Sequence, residues 1–192
     1  MTTSKRASTT KFGQNLALGI LIAWLCLCAT LFWWFQFRHI NHFEDYWASF
    51  QGETFKKNRI QPTQGYAVVI HFIDNSCPCS RFAEPHISDL ELQYGNDVEF
   101  IRFGSGEMNR LTPIDLNQLR VPASPAVAIW DQKGDLAYLG PYSGGVTCGQ
   151  GTDFVALTLE NLKERQNPQW FNQESVGCFC EWRTPQELLH DL

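Results

Sequence analysis

The sequence has no excess of positive charge, no repeated segment and no phosphate-binding loop. Its 192 residues include 15 Lys and Arg against 20 Asp and Glu, for a net charge of −5. This charge predicts no nucleic-acid partner. Gly104-Ser105-Gly106 and Gly144-Gly145 are turn glycines, because no Lys follows them at P-loop spacing. No pattern in the chain therefore predicts a cofactor.

Charge is also missing from the segment between Phe12 and Phe37. Residues 16–35 are almost all apolar, and twenty such residues form a helix that crosses a hydrocarbon core of about 30 Å. Trp33 and Trp34 lie near its end, where aromatic rings favour the membrane interface. We predict a stub over residues 1–15 and one transmembrane helix over residues 16–37. A cleaved signal peptide is the alternative, but the run is long and ends in bulky aromatic residues.

Positive residues lie before this helix and acidic residues follow it. Lys5, Arg6 and Lys11 precede it, whereas Glu44 and Asp45 come after. The positive-inside bias predicts a cytoplasmic N-terminus and an exported domain. The short stub and compact domain favour the bacterial inner membrane, with the domain in the periplasm and membrane lipid around the helix.

The remaining sequence predicts an α/β domain with a central sheet flanked by helices. A helical neck is expected over residues 38–60, where apolar residues recur at three- and four-residue spacing. The main domain is expected over residues 61–165 and a cysteine-containing C-terminal extension over 166–192. Strands are predicted at 66–73, 98–103, 126–130 and 136–139, and helices at 80–94, 109–119 and 153–162.

Five cysteines lie outside the predicted membrane helix: Cys77, Cys79, Cys148, Cys178 and Cys180. Exported compartments oxidise thiols, so some of them should be paired. Because five is odd, at least one is free or bonded to something other than this chain. Cys77 follows a predicted strand and opens a predicted helix, where the helix dipole and free N–H groups stabilise a thiolate. Cys79 follows within the first turn and could attack a mixed disulfide formed on Cys77.

The segment 71–80, HFIDNSCPCS, resembles the active-site region of the thioredoxin superfamily. In that register Cys77 takes the place of the first, attacking cysteine and Ser80 that of the second. His71 replaces a buried aspartate that assists proton transfer, and Pro85 falls on the proline of the helix. The segment 121–127 resembles the one that holds the family's cis-proline, which would be Pro125.

The resemblance covers about residues 60–165 and implies a membrane-tethered thiol–disulfide oxidoreductase. Cys77 would attack a client disulfide or peroxide, Ser80 would donate a hydrogen bond to the thiolate, and His71 would be a base. Client proteins or a redox partner protein would be its partners. The chain has no Cys-x-x-Cys pair, so the resolving cysteine stays open between Cys79, Cys148 and the pair Cys178/Cys180.

Two alternatives remain open. A metal-binding module would use Cys77, Cys79, Cys148 and His86 for copper or zinc, although no metal-binding spacing is present and a metal is not our prediction. A non-catalytic interaction domain would use all its cysteines in structural bridges. His71 has its own alternative, a buried strand histidine bonded to a carbonyl.

Overall fold

The computed structural model describes residues 6–37, 40–42, 52–104, 121–144, 151–172 and 175–182. The chain divides into two compact units, Met1–Arg38 and His39–Leu192. The described helices and strands, in chain order, are α1 (Arg6–Phe37), β1 (Ile40–His42), α2 (Gly52–Lys57), β2 (Ala67–Ile73), α3 (Pro78–Tyr94), β3 (Val98–Gly104), β4 (Ala123–Ser124), β5 (Ala126–Asp131), β6 (Leu136–Gly140), α4 (Phe154–Lys163), β7 (Trp170–Phe171), β8 (Val176–Cys178) and β9 (Cys180–Glu181).

Helix α1 is the first unit's main feature. Its segment Gly13–Trp34 has a mean hydropathy of 2.3, and none of it is buried. By length and composition it is able to cross a membrane, as the sequence predicts. Cys26 and Cys28 on this helix are free and exposed.

The second unit is built on a five-stranded mixed sheet in the order β3-β2-β5-β6-β7. Strand β2 is an interior strand, parallel to β3 on one side and antiparallel to β5 on the other. All seven residues of β2 are buried, which explains its continuous apolar run. Strands β5 and β6 form the predicted antiparallel hairpin, and β7 pairs with β6 in parallel.

Alternate residues of β2 point to two separate apolar layers. On one side Val69 and Ile73 pack with residues of α3 and α4, and we call this side the helix face. On the other side Ile70 and Phe72 pack with α2 and with the C-terminal segment 176–182, and we call this side the tail face. The sheet is therefore covered on both sides.

Most predicted elements of the domain are present with small changes at their ends. Helix α3 begins at Pro78, and α4 begins after Asp153, whose Oδ1 accepts a 2.9 Å hydrogen bond from the Ala156 N–H. The predicted helix over 109–119 lies outside the described residues. The neck differs from its prediction, because Ile40–His42 is a strand that pairs with β8 and the following helix is Gly52–Lys57.

The C-terminal extension differs most from expectation, because it is part of the domain. Strand β7 joins the central sheet, and β8 and β9 form two small sheets with β1 and β4. Phe179 and Trp182 are buried in the tail face. The boundary predicted at residue 165 therefore divides a single core.

Candidate functional site

The turn between β2 and α3 is shaped by Asp74. Its carboxylate Oδ1 accepts hydrogen bonds from the Ser76 N–H (2.8 Å) and the Ser76 hydroxyl (2.7 Å). The Asp74 carbonyl accepts a third from the Cys77 N–H at 3.0 Å. Cys77 is the N-cap of α3, and Pro78 occupies the first turn, where a missing N–H has no cost. Cys77 is thereby fixed at the positive end of a 17-residue helix.

Two disulfides join this helix start to the C-terminal segment. Cys77 is bonded to Cys180, with a Cα–Cα distance of 6.0 Å, and Cys79 to Cys178, at 5.5 Å. Both distances lie in the ordinary range for a disulfide. Each Cys-x-Cys unit therefore pairs with the other unit and not within itself. Cys148 lies outside the described residues.

Main-chain pairing and aromatic packing hold the C-terminal segment at the same place. Strand β9 runs antiparallel to β4, with Cys180 opposite Ser124 and Glu181 opposite Ala123. The Trp182 ring lies 5.8 Å from the rings of Phe72 and Phe103. These contacts therefore anchor the segment at and directly after Cys180.

The Ser124 hydroxyl connects the end of β2, the turn that follows it and the start of α3. It accepts from the Asp74 N–H at 2.8 Å and lies 3.3 Å from both the Phe72 carbonyl and the Ser80 hydroxyl. Donation from Ser80 to Ser124 and from Ser124 to Phe72 satisfies all three contacts. The Ser124 carbonyl oxygen lies 3.7 Å from Cys77 Sγ. The peptide bond between Ser124 and Pro125 is cis, at the position that the resemblance implies.

The sulfur atoms form a compact cluster with unequal access. The Sγ atoms of Cys77, Cys79 and Cys180 all lie within 4.8 Å of one another, and Cys178 is bonded to Cys79. Cys77 is 3% exposed and Cys79 is fully buried, whereas Cys178 and Cys180 are half-buried. Within each disulfide, the tail cysteine is therefore the more exposed residue.

His71 points into the helix face. Its Nδ1 lies 2.7 Å from the Tyr142 hydroxyl, and its ring is stacked on Phe100 with centroids 5.5 Å apart. Its Nε2 is buried and lies 3.9 Å from Glu91 Oε1. Burial lowers the pKa of His71 to about 4, so the ring is neutral at pH 7. The hydrogen-bond partner of His71 is thus a tyrosine hydroxyl, whereas the alternative interpretation of the sequence predicted a backbone carbonyl.

A cluster of charged side chains joins α3 to β3. Arg102 pairs with Glu91 at 2.7 Å and also with Glu84. The hydrogen bond from Arg102 holds the pKa of Glu91 below its usual value. Arg102, Glu84 and Ser80 line a cavity of about 530 Å³ together with Ile73, Asn75, Arg81, Phe103 and Gly104. The cavity lies beside the start of α3.

His86, one residue of the alternative metal set, has other partners. His86 lies 3.3 Å from the Asp153 carboxylate, and this interaction raises the pKa of His86. Its ring also contacts Tyr142, with centroids 6.1 Å apart. Among the described residues, His86 is therefore not grouped with Cys77 and Cys79, and Cys148, the fourth member of the alternative metal set, lies outside them.

Sequence reasoning missed Ser124 and left the role of the tail cysteines open. Ser124 carried one signal, since it directly precedes the proline that the resemblance singled out. The tail carried another, because Cys178 and Cys180 repeat the Cys-x-Cys spacing of Cys77 and Cys79. Tyr142 carried no signal, since it follows a hairpin and reaches His71 only in the folded chain.

The sequence matches the family described as Domain of unknown function (DUF6436) over residues 46–182. The match spans most of the chain, so this protein belongs to that family. No curated protein matches the chain in sequence.

Solved structures share weak similarity with the chain. A hypothetical protein from Sinorhizobium meliloti 1021 is 13% identical, with a TM-score of 0.46, over 69% of this chain and 83% of that one. A yeast mitochondrial 1-Cys peroxiredoxin is 23% identical, with a TM-score of 0.32, over 58% and 84%. Mitochondrial thioredoxin 3 from Saccharomyces cerevisiae is 23% identical, with a TM-score of 0.28, over 44% and 67%. TM-scores below 0.5 do not establish a shared fold.

Proposed function

We propose that this protein is a membrane-tethered thiol–disulfide oxidoreductase of an exported compartment, with Cys77 and Cys180 as its exchanging pair. The observation that carries the proposal is the bond between Cys77, at the N-terminus of α3, and the half-buried Cys180. A thiolate on Cys77 is stabilised by the helix dipole, which makes Cys77 both a good leaving group and a ready nucleophile.

The arrangement of strands supports a thioredoxin-like core. The order β3-β2-β5-β6, with β2 and β3 parallel and β5 and β6 antiparallel, agrees with a strand–helix–strand unit followed by a hairpin and a helix. Cys77 at the start of α3 and the cis bond before Pro125 also agree with that fold. In this proposal Cys180 is the resolving cysteine, and Cys79 belongs to the second disulfide, with Cys178.

In this proposal, reduction of the protein begins at Cys180, because Cys180 is more exposed than Cys77. A thiolate of a donor dithiol protein attacks Sγ of Cys180, forms a mixed disulfide and releases Cys77 as a thiolate. The second donor thiol attacks the mixed disulfide, releases Cys180 and leaves the donor oxidised. Two electrons and two protons are transferred in total. In the reverse direction Cys77 attacks a client disulfide, and Cys180 resolves the mixed disulfide.

His71 and Ser80 have narrower roles here than the resemblance implies. His71 is neutral at pH 7, and Tyr142 is its hydrogen-bond partner. The Ser80 hydroxyl lies against Ser124 in this oxidised form. Ser80 therefore positions the turn around Cys77 through Ser124, whereas His71 packs within the helix face, and the exchange itself needs only sulfur chemistry.

The location is part of the proposal. Two disulfides persist only where thiols are oxidised, which supports an exported domain. Helix α1 is able to span the membrane, and the preceding Lys and Arg residues favour a cytoplasmic N-terminus. We propose the bacterial inner membrane with the domain in the periplasm. A protease added outside spheroplasts should degrade the domain, and protection of the domain would contradict this topology.

A redox titration tests the function. The full chain in detergent is equilibrated at a series of glutathione potentials, alkylated and analysed by mass spectrometry for each cysteine. The Cys77–Cys180 bond should titrate reversibly between about −300 and −120 mV, where catalytic pairs lie. The Cys79–Cys178 bond in the same molecule is the internal comparison.

A pair of variants completes the test. Cys180→Ser should trap Cys77 in a mixed disulfide with glutathione or a client, because its resolving thiol is gone. Cys178→Ser should not trap Cys77. A Cys77–Cys180 bond that resists reduction across the whole range would make the bridge structural and would contradict the proposal.

A further inference from the structure

The four cysteines of the two disulfides form one cluster, although they come from two distant segments. Three Sγ atoms, of Cys77, Cys79 and Cys180, lie within 4.8 Å of one another. The fourth, of Cys178, is bonded to Cys79. Main-chain pairing of β9 with β4 and of β8 with β1 contributes to positioning the tail cysteines, in addition to the disulfides.

The size of this cluster is suited to a thiophilic metal ion once the disulfides are reduced. Two thiols that are no longer bonded must separate to van der Waals contact. Zinc in a tetrahedral four-thiolate site has Zn–S bonds of about 2.3 Å, which place neighbouring sulfurs roughly 3.8 Å apart. That separation lies between a disulfide bond and the 4.8 Å limit of the cluster. Cys77, Cys79 and Cys180 therefore need only small side-chain movements, and Cys178, which lies outside this group, needs a larger one.

We propose that the fully reduced protein binds one zinc ion through Cys77, Cys79 and Cys180, with Cys178 as the fourth ligand. All four ligands are sulfur, which zinc accepts in closed tetrahedral sites. Cys77 and Cys79 are buried at the N-terminus of α3, where the helix dipole stabilises thiolates. The site differs from any set containing His86, which is paired with Asp153.

Oxidation and metal binding exclude each other in this cluster. Reduction of the two disulfides takes four electrons and four protons from two dithiol molecules, which become two disulfides. Zinc then displaces four protons from the four thiols. Zinc binds thiolates, and a sulfur atom in a disulfide is not a thiolate, so the oxidised protein cannot form the site.

The test uses the full chain in detergent with Cys26→Ser, Cys28→Ser and Cys148→Ser, so that only the four cluster cysteines remain. One sample is reduced with a phosphine and freed of it under argon, and the other is left oxidised. Zinc is added in competition with a chromophoric chelator. We expect one equivalent of zinc per reduced chain and less than a tenth of an equivalent per oxidised chain. Less than a tenth of an equivalent on the reduced chain would overturn the proposal.

Ligand identity is read from alkylation in the presence of zinc, in the chain that retains Cys148. Cys77, Cys79, Cys178 and Cys180 should be protected, and Cys148 should be labelled. Cys79→Ser should lower zinc affinity at least tenfold, whereas Phe82→Ala, whose side chain is exposed on the same helix, should leave it unchanged. Labelling of Cys77, Cys79 or Cys180, or equal affinities for the two variants, would overturn the assignment.

Folding is followed in the same samples by circular dichroism. If reduction loosens the domain, zinc should restore the spectrum of the folded protein, because metal binding then contributes folding free energy. A chain that stays loosened and binds no zinc would contradict the proposal. The result is independent of the redox function, since a titrating Cys77–Cys180 bond is compatible with either outcome here.

Discussion

The two faces of the central sheet are closed in different ways. The helix face is covered by α3 and α4, whose apolar residues pack on Val69 and Ile129 without any covalent link. The tail face is covered in part by the segment 176–182, which contributes Phe179 and Trp182 and is bonded to α3 through both disulfides. One face therefore depends on packing alone, whereas the other depends on packing and on the redox state of four sulfurs.

This difference indicates where the protein responds to its surroundings. A change of redox potential acts on the tail face, because that face contains the bonds that can open. A change of pH acts on the helix face, because the buried His71 lies there. Both faces include side chains of strand β2, so a perturbation of either face affects the packing of this strand. The four predictions that follow test this division.

The largest effect is expected from removing both disulfides together. The two bridges close loops of 103 and 99 residues that almost coincide. Once one bridge is present, the other closes only a short effective loop of about six residues. Loss of either bridge should therefore lower the free energy of unfolding by about 2 kcal/mol, and loss of both by about 7 kcal/mol. Urea unfolding of the two paired Cys→Ala variants and of the fourfold variant measures this. Losses that simply add would show that the bridges act independently.

The second prediction compares one buried residue from each face. Trp182→Ala and Leu159→Ala should each cost about 3–5 kcal/mol in the oxidised protein, because both side chains are buried. After reduction the tail face loosens, so the cost of Trp182→Ala should fall by half or more. The cost of Leu159→Ala should stay the same, which makes it the matched control. Equal costs for Trp182→Ala in both redox states would mean that the tail face does not depend on its disulfides.

The sequence allowed most of the main domain to be predicted, because its signals are local. Strand β2 is an unbroken apolar run, the turn at Asp131 to Gly134 marks a hairpin, and Asp153 is a suitable N-cap. Each of these depends on residues a few positions apart. The same reasoning could not predict the tail, because its strands pair with β1 and β4 from distant parts of the chain.

The candidate site was predictable in part for the same reason. Cys77 was found because a strand, a turn and a helix follow one another there. Its bond to Cys180 was not, since five cysteines permit many pairings and spacing alone does not choose between them. The neutrality of His71 was also hidden, because it results from burial beside Phe100 and Tyr142.

The third prediction concerns pH and the helix face. Burial lowers the pKa of His71 from 6.5 to about 4, so the folded protein favours the neutral ring. Its contribution is complete above pH 6.5 and is lost as the pH falls towards 4. The free energy of unfolding should drop by about 2 kcal/mol between pH 7 and pH 5 on this account. His71→Asn should flatten that drop when unfolding by urea is measured across the range.

His86 provides a control with the opposite sign. Pairing with Asp153 raises its pKa, so its contribution is present at low pH and is lost as the pH rises through the raised value. His86→Asn should therefore steepen the loss of stability on acidification, whereas His71→Asn reduces it. If both variants gave the wild-type profile, acid sensitivity would arise elsewhere in the protein.

The smallest effect is expected at Arg102, whose ion pairs are partly exposed. Its side chain is 41% exposed, so Arg102→Gln should change the free energy of unfolding at pH 7 by less than about 1 kcal/mol. The variant should still alter the pH profile, because Arg102 lowers the pKa of His71 while Glu91 raises it. Without Arg102, the effect of the Glu91 carboxylate on His71 is opposed less, so the pKa of His71 rises towards 6.5 and the drop in stability between pH 7 and pH 5 becomes shallower. Glu84→Gln removes one ion pair of Arg102 but keeps both charges beside His71, so its profile should match that of the wild type. A drop that stayed as steep in Arg102→Gln would mean that desolvation alone sets the pKa of His71.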